Sequence, residues 1–468
     1  MKSVLFAVAA ASAGRALAQV TGKAFGFAAG TTGGGDAEPQ FPSNNEELLE
    51  WLTDDQPRVI MIDRTFDFLE SDGSTNGKCC NDHRLSVCDV PGRVGQIYIG
   101  DDCGDMEVVS CTYWNAPKRA IEVQSNKSIV GVGDKGVIRG KGFRLINNVT
   151  NIIFQNIHIT ELNPEYIWGG DAITMDGTDR VWIDHCKTSL IGRQHIVSGW
   201  GPAGRVTISH HEFDGKTDHS CNLKHYYNAL LIGDKAQYTF AYNYLHDVSG
   251  RAPNVGGTEH MIFHGVNNFW EDVDGHAFAI GDHIQALVEG NHFENVKQPI
   301  EPNTYDSAGE IFFVETATDA SECKGTVGHV CEPNSVGGES GTLSPLNNTA
   351  AIDKLADVAD SIITPMEVGK VPEYVKANAG VGKLKAVDSV SAQPTTLVSE
   401  PSSTLVPSKT THAASTEETT ATNLPSSSSA PTSSATATTT AGKPASSACK
   451  AKRSHRSKHA RRSKRFSS

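Results

Sequence analysis

Residues 180–185 read Arg180-Val181-Trp182-Ile183-Asp184-His185, an apolar, β-branched and aromatic run that closes on two polar residues. Such composition suits a short strand. Runs of the same kind flank it: Asn151-Ile152-Ile153-Phe154, Arg205-Val206-Thr207-Ile208, Gln237-Tyr238-Thr239-Phe240, His260-Met261-Ile262-Phe263 and Gln285-Ala286-Leu287-Val288. The six starts are separated by 29, 25, 32, 23 and 25 residues. That spacing is irregular but within the range of solenoid coils. Several runs lead into a second signal, His211-Glu212-Phe213, Asn243-Tyr244-Leu245, Asn268-Phe269-Trp270 and Asn291-His292-Phe293. A polar residue at one corner of each coil, followed by an inward apolar residue, predicts a stacked ladder. The hairpins and regular blades of a sandwich or propeller are sparse. The pattern predicts an all-β solenoid, a parallel β-helix. Asn44–Leu52 predicts a short amphipathic helix with an N-cap, suited to plug one open end.

Working outward, residues 1–18 carry Lys2, an apolar run from Val4 to Ala11 and a small-x-small finish at Ala16-Leu17-Ala18. This predicts a secretory signal peptide, a mature start at Gln19 and an exported, extracellular protein. The apolar run is too short to span a bilayer, and no membrane association is expected. Residues 19–385 form the expected folded domain, long for one globular core but ordinary for a stack of coils. Residues 386–447 are the expected linker, collapsing to Ser, Thr, Ala and Pro from about Gln393; that composition predicts disorder. Residues 448–468 hold nine basic residues and no acid, on a chain whose net charge is −13. The tail suits a polyanionic matrix or plain solvation. Export argues against nucleic acid as a partner, and a monomer is expected.

All ten cysteines lie outside the leader, and Cys79, Cys80, Cys88, Cys103 and Cys111 crowd one Gly- and Asp-rich stretch. An oxidising compartment makes this a disulfide-pinned loop. Zinc is the competing reading, but no Cys-x-x-Cys pair or paired-histidine spacing supports it. Asn126, Asn148 and Asn347 occupy Asn-x-Ser/Thr sequons, open to glycosylation on this route.

Chemistry enters with Ser249-Gly250-Arg251-Ala252-Pro253-Asn254, an arginine between a glycine and a proline. Held rigidly, such an arginine addresses an anionic or ester-bearing sugar; on a loose loop it meets water. Other strings accompany it in order: Ser125-Asn126-Lys127-Ser128-Ile129, Gly140-Lys141-Gly142, Trp168-Gly169-Gly170-Asp171-Ala172-Ile173, Trp182-Ile183-Asp184-His185, Gly192-Arg193-Gln194-His195 and Gly275-His276-Ala277-Phe278. With these strings, Gly26 to Gly380 resembles the pectin and pectate lyase family of polysaccharide lyases, most closely its fungal pectin lyase branch.

The resemblance implies a right-handed, single-stranded parallel β-helix and eliminative cleavage of (1→4)-linked galacturonan. A base removes the C5 proton beside the uronic carbonyl, C4–O breaks, and a 4,5-unsaturated end remains. This chemistry needs a base and cationic stabilisation of the enolate. Arg251 matches the proton-abstracting arginine; a guanidinium is normally charged, so electrostatic stabilisation stands as the other role. Arg205 is expected as a fixed cation and Asp184 as the acid that orients the arginines, with an ordinary turn aspartate as the alternative. Arg193 is expected to position Asp184 or to form a plain ion pair. His185 is expected at a polar corner and Cys186 as a buried free thiol. The resemblance also implies disulfides Cys88–Cys221, Cys103 with Cys79 or Cys80, and Cys323–Cys331; Cys111 and Cys449 remain unassigned.

Pectate carries free carboxylates, and pectate lyases meet that charge with Ca²⁺ held by several acids. Between Gly192 and Val206 this chain has no Asp or Glu, and Arg205 is expected close to where the ion would lie. Methyl-esterified pectin is therefore the expected partner, with no metal and no cofactor. Trp168, Trp182, Tyr226 and Tyr227 fall in regions that line the pectin lyase cleft, where rings stack on esterified sugars; core packing is the alternative for each. Three rivals remain: a Ca²⁺-dependent pectate lyase, a hydrolase, whose paired carboxylates are not found, and a non-catalytic wall-binding solenoid.

Overall fold

Parallel strands stack coil on coil in a computed structural model that describes residues 20–384, except 257–259, 302–303, 305–309 and 344–345. The expected leader, linker, basic tail and Cys449 lie outside the described residues. Each coil contributes to three faces. On the first, Ile173 pairs with Ile196, Ile196 with Ala229, and Leu230 with Asn254. On the second, Val181 pairs with Val206, Val206 with Tyr238, and Gln237 with Ile262. On the third, Lys187 pairs with Glu212, Glu212 with Tyr244, and Tyr244 with Phe269. All these pairings are parallel, and the fold is a right-handed parallel β-helix.

The corner between the second and third faces explains the recurring Asn-x-apolar signal. Asn243 Oδ1 accepts from the His211 backbone N–H at 2.9 Å, and Asn268 Oδ1 accepts from Asn243 Nδ2 at 2.9 Å. Asn291 repeats this with Asn268 at 2.9 Å, and Asn334 with Asn291 at 2.9 Å. The ladder thus runs one step beyond the sequence reading, because the last coil is longer and places Asn334 43 residues after Asn291. Immediately before the corner, His210, Tyr242, Asn267 and Gly290 adopt left-handed backbone, with φ of 48°, 59°, 51° and 61°. That conformation bends the chain between faces. The next inward residues, Phe213, Leu245, Trp270 and Phe293, are fully buried and stack along the axis, each burial contributing about 1.5–3 kcal/mol.

One strand assignment shifts. The sequence reading starts a run at His260, but Gln237 pairs with Ile262 and the strand is Met261–Val266. A two-residue slip keeps the same side chains inward, so the hydrophobic pattern alone does not detect it.

Helix α1 (Asn45–Thr53) caps the first coil as expected. Asn44 accepts from the Glu47 N–H at 2.9 Å, and Leu48 and Leu52 close over the core. A separate sheet of Ser74–Asn81, Ile97–Ile99, Glu107–Trp114 and Tyr166–Ile167 carries the cysteine-rich stretch. Its bridges are Cys80–Cys103 and Cys79–Cys111, which resolves the ambiguous pairing of Cys103 and gives Cys111 a partner. Cys88–Cys221 ties this sheet to a later coil, and Cys323–Cys331 closes a loop near the end. Cys186 is a buried free thiol, pushed up to about 12 by burial. Of the sequons, Asn148 and Asn347 are exposed, whereas Asn126 is half-buried and its Oδ1 accepts from Asn151 at 2.8 Å.

Candidate active site

Arg251 stands three residues before Asn254, and Asn254 pairs with Leu230, so Arg251 is level with Tyr227 at the start of the first face. Asp171 and Gln194 stand two residues before the paired Ile173 and Ile196, which places them at that same level on earlier coils. Three coil steps of about 4.8 Å separate the backbones of Asp171 and Arg251 by roughly 14 Å along the axis.

At one end of this row Arg193 Nη1 reaches Asp171 Oδ2 at 3.3 Å, and its guanidinium lies 3.9 Å from the exposed Trp168 ring. The Gln194 N–H donates to Asp171 Oδ1 at 2.8 Å. Burial pushes the Asp171 carboxyl up, opposed by the Arg193 charge and by that N–H. At the other end the Arg251 guanidinium lies 5.2 Å from the Tyr227 ring and 6.0 Å from the Tyr226 ring, geometry suited to cation–π attraction. The two tyrosines meet edge to face at 5.1 Å. A Cβ on Gly250 would lie 2.4 Å from Tyr226 Cε2, so only glycine before Arg251 lets that ring pack close. Arg251 itself has φ of 45°, uncommon for a residue with a Cβ. Its N–H donates to His276 Nε2 at 3.1 Å, and burial lowers the His276 pKa. Burial pushes the Tyr227 hydroxyl up to about 12, which keeps it protonated.

The disulfide-pinned sheet forms a wall beside this row. Gln96 Nε2 donates to Pro164 O at 2.7 Å and Gly192 O at 2.9 Å, and Arg93 donates to Cys221 O at 2.9 Å. Tyr98 of the same sheet lies beside Tyr227, and burial pushes its hydroxyl up.

Two expected members stand elsewhere. Asp184 ends its strand on the second face, and Arg205 starts the neighbouring strand, level with Arg180. Four residues along a strand separate the two levels by about 13 Å. Asp184 is buried; its oxygens accept from Gln155 Nε2 at 2.9 Å and Ser209 Oγ at 2.7 Å and meet His185 Nδ1 at 2.7 Å and His210 Nδ1 at 3.3 Å. No arginine is among these partners. Burial alone would raise its pKa, but His185 and His210 hold the carboxyl far below the usual range. Arg205 is half-exposed and paired with Asp179, its Nε 3.0 Å from Oδ1. Trp182 is 2 % exposed and donates to Ser209 Oγ at 3.0 Å beneath the N-terminal segment, so it is core and does not line the cleft. Arg193 orients against Asp171 in place of Asp184. His185 does occupy a polar corner, stacked on His210 at 4.3 Å.

Asp171 was legible as part of the Trp168-Gly169-Gly170-Asp171 string but carried no expected role. The signal that points to it is spacing: 22 residues, one short coil, bring Arg193 beside it.

Residues 107–384 match the family model described as pectate lyase. The chain belongs to the pectate lyase family. It is 54% identical over 390 residues to "Probable pectin lyase F-1" of Aspergillus terreus, covering 82% of this chain and 100% of that protein. It is 52% identical over 373 residues to "Probable pectin lyase E" of Aspergillus fumigatus, covering 78% and 96%. Among solved structures, a pectate lyase variant from Xanthomonas campestris aligns at 18% identity and a TM-score of 0.47, over 77% of this chain and 98% of that one. The chain is a polysaccharide lyase.

Proposed function

We propose that this protein is an exported, Ca²⁺-independent pectin lyase that cleaves methyl-esterified galacturonan by β-elimination, with Arg251, Arg193 and Asp171 at the reacting sugar. The observation that carries this reading is the row of Asp171, Arg193, Tyr227 and Arg251 along one face, two cations and an edge-to-face tyrosine pair with one paired acid. Relatives named pectin lyase over the folded part support the substrate class. Export rests on the leader-like residues 1–18; among the described residues no helix is long and apolar enough to cross a membrane.

In the proposed reaction the sugar ester lies between the arginines. Arg251 takes the C5 proton; the C5–H electrons form the C4–C5 double bond, and C4–O breaks with its electrons on the leaving oxygen, which takes a proton from water. A guanidinium is normally protonated, so the proton acceptor is its neutral form; the guanidinium formed by the transfer steadies the enolate and then returns its proton to the hydroxide left when water protonates the leaving oxygen. Arg193, oriented by Asp171, supplies a second fixed charge to the ester carbonyl.

The donor set supports independence from calcium. Ca²⁺ wants several carboxylate oxygens at one place, whereas Asp171 is paired with Arg193. The Glu301 N–H bonds Phe278 O, which places Glu301 level with Ala279. That is five coils beyond the Asp171 coil, about 24 Å away. The expected role of Arg205 in excluding calcium falls away, since Asp179 neutralises it. The test is ultraviolet detection of the unsaturated product from esterified pectin and from polygalacturonate, each with chelator or added Ca²⁺. Product from pectin in chelator is expected. Calcium-dependent activity confined to polygalacturonate would overturn the reading, and reducing ends without the chromophore would mark a hydrolase.

A further inference from the structure

Among the described residues, six buried side-chain nitrogen or oxygen atoms have no hydrogen-bond partner, and two of them belong to one residue, Gln194. Its side chain is fully buried, yet Nε2 and Oε1 are both unmatched. Buried amides are almost always paired, and each exception calls for an explanation, a catalytic role among them. Gln194 stands in the row itself, one coil from Asp171 and one from Tyr227.

Its neighbours have matching gaps. Arg193 Nη1 to Asp171 Oδ2 is 3.3 Å, long against the 2.7–2.9 Å of a well-made charge-assisted bond. Asp171 Oδ1 is already met by the Gln194 backbone N–H; a carboxylate oxygen accepts more than one donor, and a guanidinium carries five N–H groups. Catalytic hydrogen bonds are commonly long without substrate and tighten with it.

We propose that Gln194 is a positioning residue for the elimination: with the sugar bound, Nε2 donates to the Asp171 carboxylate and Oε1 accepts from the Arg193 guanidinium, locking that pair toward the ester. This rests on the reaction proposed above. The charged and titratable groups around this level are Arg193, His225 whose Nε2 meets Arg193 O at 2.6 Å, Tyr226, Tyr227, Arg251, His276 and Tyr98.

Gln194→Met keeps length and removes both bonds, and Gln194→Glu keeps shape and replaces the donor by an acid. Thermal stability, kcat and KM on esterified pectin, and the pH profile of kcat are measured on both. Gln194→Met is expected to melt at or above the wild-type temperature and to lose about tenfold or more in kcat, with KM within about twofold. Gln194→Glu is expected to move the acid limb of kcat to higher pH, because a second carboxylate beside Asp171 favours protonation. Wild-type kcat in a folded Gln194→Met overturns the proposal. So does an unmoved acid limb in Gln194→Glu, which decides alone if only that variant folds. If neither folds, the amide is structural and the proposal is wrong. Inactivity of the wild type on pectin would instead sink the proposed reaction.

Discussion

Two regions of the coil stack each gather aspartate and histidine, only one of them with arginines, and they are built for opposite ends. Around Asp184 on the second face, the acid is fully enclosed, its oxygens met by Gln155, Ser209, His185 and His210. Gln155 also donates to Thr21 O at 2.8 Å, and His210 Nε2 lies 3.1 Å from Tyr374 Oη, so this corner fastens segments from both ends of the described chain onto the coils. Around Arg251 on the first face, the groups are less committed: the Arg193–Asp171 contact is long, Trp168 is 52 % exposed, and Gln194 is unmatched. Saturated polar groups stabilise a fold, and unsaturated ones remain available to a ligand.

The sharpest way to break this contrast is at the arginine. Arg251→Gln is expected to cut kcat/KM on pectin by roughly 10³-fold and Asp171→Asn by roughly 10²-fold, both melting like wild type in a thermal scan. A melting point that falls with activity would make the row structural.

The opposite result is expected on the second face. Asp184→Ala strands four donors and should cost about 3 kcal/mol or more by denaturant unfolding, while kcat per folded molecule stays within about twofold, too little for a lost catalytic contact. The Asp184 carboxyl is held below its unfolded pKa. Its stabilisation is therefore complete above the ordinary aspartate value of about 3.9 and is lost as pH falls below it. In wild type, stability should decline through that acid range, and less so in Asp184→Asn. An equal decline in both would remove Asp184 as the cause.

The smallest effect belongs to Arg205. Its pair with Asp179 is half-exposed, and Arg205→Ala should change stability by only about 0.2–1 kcal/mol with activity intact. A large loss of kcat/KM would restore Arg205 to the catalytic group.

The strands and the ladder were legible because each coil repeats the same constraint: a polar corner residue that bonds to the next coil, then a side chain that must point inward. His211, Asn243, Asn268 and Asn291 display that rule directly, and so does capping by Asn44. Arg251 was legible too, between Gly250 and Pro253.

Which acid and which second arginine share its face was decided only by tertiary structure. Asp171 and Asp184 lie 13 residues apart, and Arg193 and Arg205 lie 12 apart. Within one coil such an offset moves a side chain from the first face to the second. Local composition states that a strand is present and which side is apolar; it does not state which of three faces its end meets. Register across coils does, by setting Arg193 beside Asp171 and Arg251 level with Tyr227, while Asp184 closes over itself at another corner.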